Sequence, residues 1–135
     1  MTSQQSAMRR SGWILIGAGA LFALAGLSIL HPVAHLFLKV AYWPMQEVAP
    51  DMAIPSPLLL AITGGLTAGL GGMSWALGTY VAPISPDAAQ RVTWVATWSW
   101  FCTDSTFSIL VGAPFNAVLN LTFLVLLLAS CRNRR

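Results

Sequence analysis

The chain has 135 residues, of which 56% are hydrophobic and 8% are charged, and its net charge is +3. Soluble domains carry charge on about a quarter of their residues, so this composition, with a mean hydropathy of +0.70, argues against an ordinary soluble domain. Several apolar stretches approach or exceed the roughly 20 residues that cross a bilayer as a helix. The sequence therefore predicts an all-α integral membrane protein with a single transmembrane domain over residues 1–135.

The basic residues are concentrated in the two short tails. Five of the seven lie there: Arg9, Arg10, Arg132, Arg134 and Arg135. Arginines that flank membrane spans stay on the cytoplasmic side, so we expect both termini in the cytoplasm and a bacterial inner membrane as the location. Binding of anionic lipid is a second interpretation of these residues, whereas nucleic-acid binding is not predicted.

The first predicted span covers residues 12–30, an uncharged stretch that follows the polar N-terminal tail. Gly19, Ala23 and Gly26 recur at helical spacing and predict one small-residue face for close packing against another helix. Basic residues followed by an apolar core are also typical of a signal peptide. An uncleaved span is favoured, because the apolar run continues past the small residues that would form the cleavage site.

His31-Pro32 is expected to end or kink the first span, since proline cannot donate to the preceding turn. Residues 32–43 then predict an amphipathic helix that lies in the membrane interface. Its polar stripe consists of His35, Lys39, Tyr42 and Gln46. The alternative is a single kinked first helix of about 32 residues, roughly 48 Å long. Glu47 and Asp51 follow in a predicted loop. If the chain has four spans with both termini in the cytoplasm, this loop lies on the opposite, outer side of the membrane.

The second predicted span covers residues 57–81 and begins at Ser56-Pro57, a helix-starting pair. Glycines are crowded in its middle. Gly65 and Gly69, with Gly72 three residues further on, predict a smooth face that matches the face of the first span. So many glycines also weaken a helix, and a flexible gating segment is the alternative interpretation.

The third and fourth predicted spans cover residues 90–111 and 115–130. A single helix over residues 92–129 would be about 57 Å long, against a hydrocarbon core of about 30 Å. Gly112-Ala113-Pro114 therefore predicts a hairpin turn. A three-span alternative, with residues 101–130 as one kinked helix, would place the C-terminal arginines outside, so four spans are favoured.

The two spans of this hairpin carry polar residues that a membrane protein must turn toward another helix or a cavity. The candidates for binding or transport are Asp104, Ser105, Ser108, Asn116 and Asn120. Asp104 is expected to accept hydrogen bonds from Asn120, Ser108 or Thr103. Hydrogen bonding between helices explains the serines and asparagines, but a carboxylate in mid-bilayer costs about 2.5–3.5 kcal/mol. Asp104 therefore indicates a partner or a function.

Other chemistry has little support in the sequence. Cys102 and Cys131 predict neither a disulfide nor a metal site, because they have no CxxC spacing and are expected at different depths. His31 and His35 are four residues apart and are weaker candidates for a metal or haem site, since Pro32 lies between them and no third ligand is near. No cofactor is predicted, and no nucleophile with a nearby base indicates an enzyme.

The leading functional hypothesis is a small, non-catalytic, multi-pass membrane protein. It would act as an accessory or self-associating subunit of a membrane complex, with the lipid bilayer and other membrane subunits, or itself, as partners. The alternative is a small transporter or channel component that passes protons, cations or a small solute along the face of Asp104. An enzyme that uses His31 and His35 is the weakest hypothesis.

Overall fold

The computed structural model describes residues 2–27, 30–44 and 57–131, and all regular structure in these ranges is helical. The helices are α1 (Ser3–Leu24), α2 (His31–Ala41), α3 (Pro57–Ala76), α4 (Pro86–Leu110) and α5 (Pro114–Cys131). A π-helical segment, Leu77–Val81, continues α3. The predicted all-α class is confirmed for this part of the chain. The loop with Glu47 and Asp51, Gln46, Ser56 and the C-terminal arginines lie outside the described residues.

The first helix begins and ends earlier than the predicted span 12–30. It begins at Ser3 because Thr2 and Gln5 form a capping box. The Gln5 amide donates to Thr2 Oγ1 at 3.3 Å, and the Thr2 amide donates to Gln5 Oε1 at 2.8 Å. Residues 3–11 are mostly polar, so hydropathy predicts a tail there, although the cap makes them the first part of α1. Because α1 ends at Leu24 and α2 begins at His31, the alternative of one kinked first helix is wrong.

α1 and α3 are antiparallel and pack backbone against backbone. A Cβ atom added to Gly12 would lie 2.7 Å from the Gly71 carbonyl oxygen, and one added to Gly19 would meet the backbone of Gly64 and Ala68. Such close approach is what small residues permit in helix pairs. The two faces therefore fit only without side chains at these positions.

The predicted packing residues divide into two groups in this structure. Gly19 and Ala23 lie against Gly64, and Gly26 lies against Pro57. Gly65, Gly69 and Gly72 do not face α1, and a Cβ at any of them would meet nothing within 4 Å. α3 instead packs on α1 through the adjacent face, which carries Gly64, Ala68 and Gly71 at the points of closest approach.

α4 and α5 form the predicted antiparallel hairpin. Ser85 caps α4, accepting from the Ala88 amide at 3.3 Å, and Pro86 occupies the first turn. The turn between the helices has Gly112 at φ 83°, a left-handed conformation that favours glycine. The single helix over residues 101–130 that the three-span alternative required is not present, because α4 ends at Leu110 and α5 begins at Pro114.

α1 packs mainly against α3 and also contacts α5, which in turn packs against α4. Gln4 Nε2 donates to the carbonyl oxygens of Pro86 and Cys131, each at 3.3 Å. The start of α1, residues 77–86 and the end of α5 therefore meet at one end, which we call the terminal end. The opposite end, the hairpin end, contains the end of α1, α2, the start of α3 and the turn at 111–113.

α2 lies at the hairpin end and contacts three other helices or their ends. Ala34 is buried with Ala25 and Leu60. The rings of Phe22 and Phe37 meet edge to face at 5.0 Å, and Trp43 meets Phe115 in the same way at 5.5 Å. These contacts fix the position of α2 beside the start of α5.

The distribution of polarity is the reverse of that in a soluble protein. Large apolar side chains are exposed on every helix, among them Leu66 at 71%, Val95 at 69% and Val125 at 63%. Polar side chains occupy much of the interior. Those at most 7% exposed are Gln4, Ser11, Ser74, Thr93, Thr97, Ser105, Asn120 and Ser130. The described residues thus turn an apolar surface outward over a partly polar core.

Two helices within the described ranges are long and apolar enough to cross a bilayer. They are Pro57–Val81, with a mean hydropathy of 1.3, and Pro114–Cys131, with 1.8. Only 22% and 28% of the residues in their most apolar stretches are buried within the chain. α1 and α4 have the length but a lower hydropathy, because their sequences include more polar residues.

Candidate functional site

Asp104, Ser108 and Asn116 form a hydrogen-bonded group between α4 and α5, which we call the polar cluster. Asp104 and Ser108 are one turn apart on α4, and Asn116 lies in the first turn of α5. Asn116 Nδ2 donates to Ser108 Oγ at 2.8 Å and, over a longer distance of 3.4 Å, to Asp104 Oδ1. Ser108 Oγ donates to the same Oδ1 at 3.1 Å. The hairpin thus brings three of the five candidate residues together.

The other two candidates, Ser105 and Asn120, form a separate pair. Asn120 Nδ2 donates to Ser105 Oγ at 3.2 Å, and both side chains are buried. The predicted bond from Asn120 to Asp104 is therefore wrong. Successive residues on a helix point about 100° apart, and the rotation of α4 presents Ser105 to Asn120 while it leaves Asp104 half-buried. Thr103, the other suggested donor, is exposed and makes no bond to Asp104.

The carboxylate of Asp104 is only partly satisfied. Both of its hydrogen bonds end on Oδ1, and within the described residues nothing donates to Oδ2. No lysine or arginine in these ranges forms an ion pair with it. Asp104 lies six residues before the end of α4, which is about 9 Å along the helix axis. Its second oxygen is therefore the acceptor that a cation or a donor from outside the described structure could use.

A shallow apolar groove lies at the hairpin end, between α2 and the start of α5. It has a volume of about 300 Å³ and is lined by Leu36, Lys39, Val40, Trp43 and Phe115. Lys39 is exposed, on the last turn of α2. Phe115 directly precedes Asn116 of the polar cluster. The groove therefore places one basic side chain at the same end of the molecule as Asp104.

The remaining sequence candidates do not assemble into a site. His31 is half-buried at the start of α2, and His35, one turn later, is exposed. No group of three or more histidine, cysteine or acidic residues that could hold a metal ion occurs in residues 2–27, 30–44 and 57–131. Both thiols are free; Cys102 is exposed and Cys131 is buried.

Sequence reasoning missed the polar contacts that join α1 to its neighbours. The hydroxyl oxygens of Ser11 and Ser74 lie 3.0 Å apart, and each lies within hydrogen-bond distance of the Met8 carbonyl oxygen, at 2.9 and 3.1 Å. Ser74 lies three residues after Gly71, on the face of α3 that packs against α1. Because the approach of α1 decides which face of α3 is covered, the sequence alone carries no signal for this contact.

Comparison of the chain with protein-family models, curated proteins and solved structures found no match. Three features of its own geometry remain to explain: the outward apolar surface, the glycines of α3 that face no other helix, and the incompletely satisfied carboxylate of Asp104.

Proposed function

We propose that the chain is a four-span membrane protein that acts as a non-catalytic subunit, either accessory to a membrane complex or self-associating. The observation that carries this proposal is the reversed polarity: large apolar side chains exposed on every helix around buried serine, threonine and asparagine. A soluble monomer rarely exposes so much contiguous apolar surface, whereas lipid requires it. Polar groups in a membrane must find partners within the protein.

The helix lengths support four spans. At 1.5 Å per residue, α1 is about 33 Å long, α3 with its π-helical segment and α4 are each about 37 Å, and α5 is about 27 Å. These lengths match a hydrocarbon core of about 30 Å. The lower hydropathy of α1 and α4 comes partly from residues that are buried, such as Ser11, Thr93 and Thr97. α2 would then lie in the interface at the hairpin end.

The charge distribution supports one orientation. Arg9, Arg10 and Arg91 lie toward the terminal end, and three more arginines follow Cys131 in the sequence. The hairpin end has a single lysine or arginine, Lys39. Positive residues remain in the cytoplasm, so the terminal end and both termini are cytoplasmic in this proposal. A bacterial inner membrane stays a prediction.

The role as a subunit follows from the face of α3 that carries Gly65, Gly69 and Gly72. A Cβ at these positions would meet no atom of the described structure within 4 Å. Three glycines in an exposed helical face weaken the helix without packing benefit, unless another helix covers them. Small residues in such a pattern are typical of helix-packing faces in membranes.

Replacement of Gly69 by leucine tests this role. We expect the gently extracted wild-type chain to have a mass well above its 14.4 kDa, and Gly69→Leu to reduce that association at least tenfold, because leucine blocks backbone approach. The measurement is the native mass of the detergent complex with all co-purifying chains identified. Gly17→Leu is the matched control, since Gly17 also faces open space but lies on α1. A monomeric, partner-free wild type would contradict the proposal.

The second candidate function is transport, and the polar cluster favours it. A half-buried carboxylate with one unsatisfied oxygen, beside a hydroxyl and an amide, can bind a proton or a small cation. If the chain carries such a flux in reconstituted liposomes, Asp104→Asn should abolish it. Asp87→Asn, at the exposed start of α4, is the control. A flux that survives Asp104→Asn would remove Asp104 from any transport mechanism.

A further inference from the structure

Within the described residues, two opposite charges at the hairpin end, Asp104 and Lys39, have no ion-pair partner. Asp104 uses Oδ1 for the polar cluster, and its Oδ2 accepts nothing within the described residues. Lys39 is exposed and forms no ion pair in the same part of the structure. A carboxylate inside a membrane is expected to be paired or wetted rather than left in hydrocarbon. Asp104 therefore calls for a donor, preferably a cation.

Among the residues that the structure describes, Lys39 is the only lysine or arginine at the hairpin end. Arg9, Arg10 and Arg91 belong to the terminal end, on the other side of the membrane in the proposed arrangement, and the remaining arginines follow Cys131 in the sequence. Arg91 is thirteen residues from Asp104 on α4, which is about 20 Å along the axis. Arg9, Arg10 and Arg91 therefore cannot reach the polar cluster of a neighbouring copy in the same orientation.

Both charges lie toward the hairpin end and are linked through the start of α5. Lys39 lines the apolar groove together with Phe115, and the next residue, Asn116, donates a hydrogen bond to Asp104. The groove around Lys39 is apolar, so a chain seated there would exclude water and lipid headgroups from the contact.

We propose that two copies of this chain associate side by side in the same orientation, and that Lys39 of each copy pairs with Asp104 of the other. This inference rests on the proposed membrane arrangement and names the partner for one surface of the subunit. In a two-fold dimer each contact occurs twice in reciprocal form, so one interface satisfies both carboxylates and both ammonium groups. The charges then determine register and orientation as well as association.

A charge-swap experiment on the full-length chain tests the dimer. Two differently tagged copies are co-expressed, extracted in mild detergent, and the fraction that co-purifies is measured. Lys39→Asp with itself and Asp104→Lys with itself should each lose association at least tenfold, because like charges then meet. Lys39→Asp mixed with Asp104→Lys should recover most of the wild-type association, since both reciprocal contacts again join opposite charges. Arg91→Asp, at the other end, should associate as the wild type does.

Cross-linking keeps the proposal testable if a charge reversal prevents folding. In a background without native thiols (Cys102→Ser with Cys131→Ser), Lys39→Cys mixed with Asp104→Cys should form a disulfide between the two chains on mild oxidation. Asp104→Cys alone should form far less. Absence of the mixed cross-link in chains that remain folded, or single charge variants that associate like the wild type, would overturn the inference.

The outcomes separate this inference from the proposed function. A chain that leaves the membrane on alkaline extraction would contradict the membrane proposal itself. A chain that stays in the membrane and loses association with Gly69→Leu, but associates normally in every charge variant, would overturn only the Lys39–Asp104 dimer. The chain could also prove strictly monomeric, with a stability that falls in each single variant and recovers when Lys39→Asp and Asp104→Lys are combined in one chain. That result would show a pair within one chain and would also overturn the dimer.

Discussion

Replacement of Gly64 by alanine is expected to lower the free energy of unfolding by about 2–3 kcal/mol, the range of severe overpacking. The added Cβ would meet the backbone of Gly19 and Ala23 and the Cβ of Ala23 at 2.7 Å. Backbone atoms cannot move aside as a flexible side chain can, so α1 and α3 must separate. This loss exceeds the gain of about 1 kcal/mol that alanine brings to a helix.

The neighbouring glycine provides the matched control. A Cβ at Gly65 would meet nothing within 4 Å, so Gly65→Ala should raise stability by up to about 1 kcal/mol through helix propensity alone. Unfolding in mixed micelles of mild and denaturing detergent measures both variants under one set of conditions. Equal effects of the two substitutions would mean that α1 and α3 do not pack through Gly64.

The second large effect concerns the polar cluster. Asn116→Leu should lower the free energy of unfolding by about 2 kcal/mol, because it removes a donor to the carboxylate and leaves a polar group under-satisfied. Adding Asp104→Leu should restore most of that loss, since replacement of both partners by apolar groups can be nearly neutral. The double-mutant cycle isolates the coupling between the two residues.

The same detergent unfolding assay gives the four free energies of this cycle. The pair Asp104→Leu and Asn116→Leu should be strongly non-additive. Asn120→Leu combined with Asp104→Leu is the control, because Asn120 bonds to Ser105 and not to Asp104. Additive losses for Asp104 and Asn116 would contradict the hydrogen-bonded cluster, and strong coupling to Asn120 would contradict the observed register.

The breaks between the later helices could be predicted from the sequence because their causes are local. Ser85-Pro86 contains both the cap and the first-turn proline of α4, and Gly112 with Pro114 contains both the left-handed turn and the start of α5. Hydropathy does not predict the start of α1, because this helix begins in a polar segment at the capping box of Thr2. The capping pattern, and not hydropathy, marks this helix start.

Features that depend on the rotation of a helix were not predictable. Gly64 and Gly65 are adjacent, and each begins a small-residue face; only the approach of Gly19 decides which one packs. In the same way, Asp104 and Ser105 are adjacent on α4, and only the rotation of that helix decides which of them bonds to Asn120. The contact between Ser108 and Asn116 lies close to the hairpin turn, where antiparallel partners can be found by counting residues from the turn.

The buried contacts of Gln4, Ser11 and Ser74 were also beyond the sequence. Each joins residues far apart in the chain: Gln4 reaches Pro86 and Cys131, and Ser11 lies against Ser74. Nothing in the local pattern distinguishes a serine that faces another helix from one that faces headgroups. Their burial appears only once the helices are assembled.

We propose that the chain crosses the membrane four times with its terminal end in the cytoplasm. This arrangement is tested most directly by single cysteines in a background that lacks both native thiols, Cys102→Ser with Cys131→Ser, labelled with a membrane-impermeant maleimide from each side of sealed vesicles. We expect Ser3→Cys and Ile84→Cys to react from the cytoplasmic side only, and Pro44→Cys and Val111→Cys from the opposite side only. Labelling of Ile84→Cys and Val111→Cys from the same side would contradict the four-span account.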